Sequence, residues 1–201
     1  MASSRHGAEK ALSIISATNQ IAWEDGIRMI QLPFDTNMEM LAMQRGQEMG
    51  GLANSITSGS ANAAAFLGEM ALAYHLGADI VDTYNHDLIV RSGGKKHTIE
   101  VKTKRRTVDP KPHYEVSVAK TSSHQSPDYY AFLSITFLKF DGEGRGRTYY
   151  HPQRIWLCGY YPGEKYWQDA VPMTKGQVDH SNGFRTHVAM YNLKISDLLL
   201  S

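Results

Sequence analysis

Thr98-Ile99-Glu100-Val101-Lys102-Thr103-Lys104 is the stretch on which the reading of this chain turns. Its β-branched residues alternate with charged ones, so it reads as a strand. Side chains two apart on a strand point to one face. Glu100 and Lys102 therefore share a side, and Val101 turns into the core. Just before it, Ser92-Gly93-Gly94-Lys95 is a hairpin tip. Asp87 to Val90 forms the strand on the other side of that tip. Pairing the two strands brings Asp87 beside Glu100. Two carboxylates and an ammonium at one spot suit a dry core poorly, because buried charge is costly unless compensated. A divalent cation resolves the conflict. Mg²⁺ favours carboxylate oxygens, a backbone carbonyl and water, and the Val101 carbonyl is in position to contribute.

Upstream, Leu67, Met70, Ala71 and Tyr74 follow helical spacing, with Ser58 or Ser60 as cap and Gly77 as stop. Glu69 sits on this helix, one position from the apolar stripe, and can reach the same cation. A metal so held polarises a phosphoryl oxygen and lowers the pKa of bound water. Lys102 can orient or deprotonate the attacking water, or neutralise charge on the phosphorane. The plainer readings are a solvent-facing Glu69, a surface ion pair between Glu100 and Lys102, and an Asx turn at Asp87.

Net charge is +1, but eight basic residues and only two acidic ones lie between Arg91 and Lys111. That block carries +6 and leaves −5 for the remainder, which suits a polyanion-facing edge; a solvated hairpin rim is the bland alternative. One cysteine, Cys158, excludes a disulfide framework within one chain. No Cys-x-x-Cys or His-Glu-x-x-His spacing supports a zinc site, and no Gly-Lys-Ser/Thr supports ATP hydrolysis. No run approaches the ~20 apolar residues of a membrane helix. The expectation is a soluble, cytoplasmic protein with no membrane partner.

Along the 201 residues, helices come first: one from about Ser4 to Asn19, and one near Asn37 to Glu48 capped by Asp35 or Thr36. A Ser/Gly/Ala/Asn-rich hinge follows at Gly51 to Ala61. Strands are expected at Ile80-Val81, Tyr114 to Val118, Tyr129 to Phe140 (a central buried strand), Arg154 to Tyr160 and Thr186 to Ile195, with a turn at Gly142 to Gly146. The fold class is α/β with a mixed sheet. Residues 1–60 are expected as a helical N-terminal arm and 61–201 as the main domain. The late aromatics, from Tyr149 to Trp167, are expected in the core, and His113 and His124 are the histidines to watch.

Glu69 on its helix, Asp87, and then Glu100-Val101-Lys102 resemble the PD-(D/E)xK nuclease superfamily, closest in flavour to Holliday-junction resolvases and phage or repair endonucleases. The resemblance covers roughly residues 61 to 140. It implies a restriction-endonuclease-like core of α-β-β-β-α-β order, a central mixed sheet flanked by helices. It implies that Glu69, Asp87, Glu100 and the Val101 carbonyl bind Mg²⁺ or Mn²⁺, and that Lys102 is the catalytic lysine. The implied activity is endonucleolytic hydrolysis of DNA phosphodiester bonds, in duplex, branched or single-stranded DNA, as in repair or recombination. His86 stands where the family has proline before Asp87, and Asp79 or Asp82 is the alternative ligand if the strand pairing is shifted. Lys104, Arg105, Arg106, Lys120 and Gln125 are the expected nucleic-acid-binding residues. A homodimer through the arm would supply two centres. The rival reading is a non-catalytic nucleic-acid-binding or assembly protein on a nuclease-like scaffold.

Overall fold

The structure, a computed structural model, describes residues 20–22, 28–49, 60–81, 83–141, 148–178 and 185–199. The expected helix before Asn19, nearly all of the hinge and the Gly142 to Gly146 turn lie outside the described residues. Among those described, no helix is long and apolar enough to cross a membrane.

The chain is α/β, with a mixed central sheet. The strands are β1 (Gln20–Ala22), β2 (Arg28–Leu32), β3 (Asp79–Ile80), β4 (Leu88–Ser92), β5 (Lys95–Arg106), β6 (Glu115–Ala119), β7 (Tyr129–Asp141), β8 (Thr148–Pro162), β9 (Val171–Met173) and β10 (Met190–Lys194). Seven of them form the main sheet in the order β1-β2-β8-β7-β5-β4-β3, and β6-β10-β9 form a smaller one. Among the described strands, only the central β5–β7 pair is parallel; Glu100 lies opposite Tyr130, and Lys102 opposite Phe132. The β4–β5 hairpin turns on Gly93 and Gly94, both at positive φ, as a two-residue tip requires.

Helices α1 (Thr36–Met49) and α2 (Ser60–Leu76) cover one face of the main sheet. Asp35 caps α1 by accepting from the Met38 N–H at 2.8 Å. The helix α2 ends at Gly77 in the left-handed region, where the Ala78 N–H returns to the Ala73 carbonyl at 2.9 Å. Its buried face is Ala64, Leu67, Gly68, Ala71 and Leu72. Tyr74, expected on that stripe, is exposed; it stands in the last turn of the helix, at the flank of the buried face. The small sheet and α3 (Gly163–Asp169) cover the other face. The period of two is plain in β7: Ala131, Leu133 and Ile135 meet the helices, and Tyr130 and Phe132 meet the small sheet. Trp156, Tyr160 and Tyr166 are core residues, and the buried Cys158 thiol is pushed up to about 12 by its burial.

Three features differ from expectation. The described part of residues 1–60 is not solely helical: β2 joins the main sheet against β8, and α1 packs on α2 with Gly46 against the Ala63 backbone. The strand expected from Thr186 is shorter, beginning at Met190. Between β6 and β7, where the residues read as one short helical turn at Ser122 to Pro127 and the family resemblance implies a core helix, there is a single 3₁₀ turn, η1 (Lys120–Ser122).

Candidate metal and phosphodiester centre

The site forms where the hairpin splits. The strand β4 begins at Leu88, while β5 runs on to Arg106. From Glu100 onward β5 keeps β7 on one side, but its β4 side has no paired strand. Asp87 fills the first gap. Its N–H donates to the Ile99 carbonyl at 3.0 Å, and its Oδ2 accepts from the Val101 N–H at 2.7 Å. In an extended strand the N–H and C=O of one residue point to the same edge. The Val101 carbonyl therefore faces the edge that Asp87 occupies.

Glu100 projects from the opposite face to Val101 and is buried. Its Oε1 accepts from Lys102 Nζ at 2.6 Å and from Gln125 Nε2 at 2.9 Å; Gln125 Oε1 also accepts from Lys102 Nζ at 3.3 Å. Its Oε2 is buried with no hydrogen-bond partner. A buried carboxylate oxygen left this way is costly.

Helix α2 brings Glu69 to the same place through a close approach. Any Cβ at Gly68 would collide with Thr103 Oγ1, so glycine lets the helix lie directly on β5. Burial pushes the Glu69 carboxyl up to about 8. Repulsion from Asp87 and Glu100 adds to this, against the pull of Arg45 and Lys102. Burial and then Glu100 push Asp87 up to about 7, while the Val101 N–H and Lys102 pull it down. Carboxyls so raised are short of positive charge.

Gln125 is positioned from two sides. Asp128 Oδ2 accepts from the Thr98 N–H at 2.8 Å and from Thr98 Oγ1 at 3.0 Å, which anchors the loop after η1 to β5. The Gln125 amide nitrogen also donates to the Tyr84 carbonyl at 3.2 Å.

Among the described residues, no three His, Cys, Asp or Glu side chains are gathered into a set ready to hold a metal ion. The donor chemistry nevertheless fits a hard divalent cation: three acids that repel one another, one orphaned carboxylate oxygen, and a backbone carbonyl on the same edge.

The structure thus brings together Glu69, Asp87, Glu100, Val101, Lys102 and Gln125. It does not bring the remaining expected residues there. Lys104 Nζ and Arg106 Nη2 both donate to the Glu115 carbonyl, at 3.0 and 2.9 Å, and tie β5 to β6. The Arg106 guanidinium also lies over the Tyr114 ring. Arg105 lies on the other face, over Phe137 and Tyr150. Lys120 is exposed at the start of η1. Asp79, an alternative ligand, pairs instead with Arg91, and Asp82 lies outside the described residues. His113 packs edge-on against Tyr114.

Two groups near the centre had no sequence signal. Arg45 of α1 lies over the Phe66 ring, 5.6 Å from its centroid, and its charge is felt at Glu69, one helical turn from Phe66. Tyr84 stacks on His124 beside Gln125. Compared with protein-family models, with curated proteins and with solved structures, the chain matches none.

Proposed function

We propose that this protein is a divalent-cation-dependent nuclease that hydrolyses DNA phosphodiester bonds on a restriction-endonuclease-like core. The observation that carries the reading is the buried Glu100 carboxylate. One of its oxygens is held by Lys102 and Gln125, and the other has no partner, beside two acids pushed toward neutrality. A binding protein gains nothing from acids that repel phosphate, whereas a hydrolase that holds Mg²⁺ or Mn²⁺ needs them. The order α2, β3, β4, β5, η1, β7, with β7 parallel to β5, supports the finer fold; β6 departs to the small sheet, and η1 stands for the second core helix.

Asp87, Glu100 and the Val101 carbonyl would hold the cation, with Glu69 joining directly or through water. Bound there, the cation would polarise the phosphoryl oxygen and acidify its water. Lys102, held 2.6 Å from Glu100, orients the attacking water and offsets charge building on the phosphorane. Gln125 ties the Lys102 ammonium and the Glu100 carboxylate together through hydrogen bonds to both. Asp87 is held by a backbone N–H, so its carboxylate keeps its place as the cation comes and goes.

The test is cleavage of plasmid and branched DNA with Mg²⁺, Mn²⁺ or EDTA, for the wild type and Lys102→Ala. Metal-dependent cleavage lost in Lys102→Ala supports the reading. Salt-sensitive binding without turnover would favour the non-catalytic alternative. Cleavage that survives Lys102→Ala unchanged would remove Lys102 from the centre.

A further inference from the structure

Tyr84 is among the most exposed large side chains of the protein, with 75% of its surface open. Yet its ring is not loose. It stacks on His124 with centroids 4.2 Å apart and planes 18° apart. The two rings come from separate loops, and both loops are pinned. Thr83 Oγ1 donates to the His86 carbonyl at 2.7 Å and accepts from the His86 N–H at 3.2 Å, which closes a turn around Tyr84. Gln125, next to His124, donates to the Tyr84 carbonyl at 3.2 Å and to Glu100 Oε1 at 2.9 Å. Two hydrogen bonds through one side chain therefore join the Tyr84 backbone to the central carboxylate.

A stacked, water-facing aromatic pair tethered to a phosphodiester centre has a natural ligand, since every nucleobase has a π-face and stacks on such rings. A paired base in a continuous duplex has both faces covered by its neighbours and offers none. We propose that Tyr84 and His124 form a platform for an unpaired nucleobase next to the scissile phosphate, so that the centre prefers strand ends, flaps or junctions to continuous duplex. The proposal rests on the nuclease reading above. Gln125 then has a second role: it couples the platform's place to that of Glu100 and Lys102, so a seated base and a poised lysine come together.

The experiment compares wild type, Tyr84→Ala, Tyr84→Phe and His124→Ala on two DNA substrates of one sequence, a continuous duplex and a duplex with a single-stranded flap. The readout is the ratio of kcat/KM on flap to kcat/KM on duplex. A second readout is quenching of 2-aminopurine, placed at the first unpaired position, with Ca²⁺ in place of Mg²⁺. The platform predicts a wild-type ratio well above one. It predicts a fall of about tenfold in Tyr84→Ala, the scale of one lost base–aromatic stack, and near-wild-type values in Tyr84→Phe, which keeps the ring. Quenching should fall in parallel, and His124→Ala should act in the same direction as Tyr84→Ala. An unchanged ratio in Tyr84→Ala, with the wild type active, overturns the platform and leaves the nuclease standing. If the wild type cuts neither substrate with any metal, the nuclease reading fails. Quenching then decides the platform alone: Tyr84-dependent quenching supports it, and its absence removes it.

Discussion

Replacing Asp87 by Asn should make the metal-free protein more stable, although Asp87 is central to the site. Asn keeps an oxygen to accept the Val101 N–H, so the 2.7 Å bond that positions the side chain survives. What it loses is charge. Burial and Glu100 carry this carboxyl from an ordinary 3.8 to about 7. At ~1.4 kcal/mol per tenfold, ionising it in the folded state costs at most about 4 kcal/mol. Relaxation and water penetration around an ionising buried carboxyl lower that cost, so a realised gain of about 2 kcal/mol is expected. The sign follows from linkage. The folded state holds a proton that the unfolded state has released, so wild-type stability falls as pH rises from about 4 to about 7 and then levels. The advantage of Asp87→Asn is therefore near zero at about pH 4 and complete above about pH 7. For a chain of this size it amounts to about 4–8 °C in Tm. Thermal unfolding in EDTA at about pH 4.5 and about pH 8 measures it, and adding Mg²⁺ should stabilise the wild type while leaving the variant unmoved. A variant less stable than wild type at the higher pH, or a gain independent of pH, would refute the claim that three acids are crowded there.

Gly68→Ala should cost about 1–3 kcal/mol by forcing α2 off β5, and should weaken cation binding because Glu69 moves with the helix. Adding Thr103→Ala removes the colliding hydroxyl and should restore much of both, as read by denaturant unfolding and calorimetry. Cation affinity should rise with pH from about 6 to about 8, by about tenfold per unit for each proton that Glu69 or Asp87 releases, then flatten. Calorimetry in two buffers of different ionisation enthalpy counts those protons. Arg45→Ala removes a charge that pulls the Glu69 carboxyl down, so the rise in cation affinity should move to higher pH, while Arg45→Lys keeps it in place; calorimetry across pH reads the difference.

Much of the centre was readable because it is local. Gly93 and Gly94 fix the hairpin, and the strand period alone places Glu100 and Lys102 together with Val101 in the core. Glu69 was readable as the residue after a glycine on a strongly apolar helix, though the stripe was set one residue too far toward Tyr74. Non-local contacts were the unreadable part. Nothing in Arg28 to Leu32 announces a partner in β8, 125 or so residues away, because strand pairing across such distances is decided by which edges remain open after the core collapses. The contacts of the basic block were unreadable for the same reason. Lys104 and Arg106 look like a nucleic-acid face by composition, but β6 supplies a carbonyl that both side chains reach. Arg45 and Tyr84 have no motif, and only packing brings them beside the acids.

The most direct measurement is diffraction from crystals soaked in Mn²⁺, with its anomalous signal located. A peak at about 2.0–2.6 Å from oxygens of Asp87 and Glu100 and from the Val101 carbonyl is the result expected here. No peak at that edge of β5, or one elsewhere on the molecule, would contradict the metal centre.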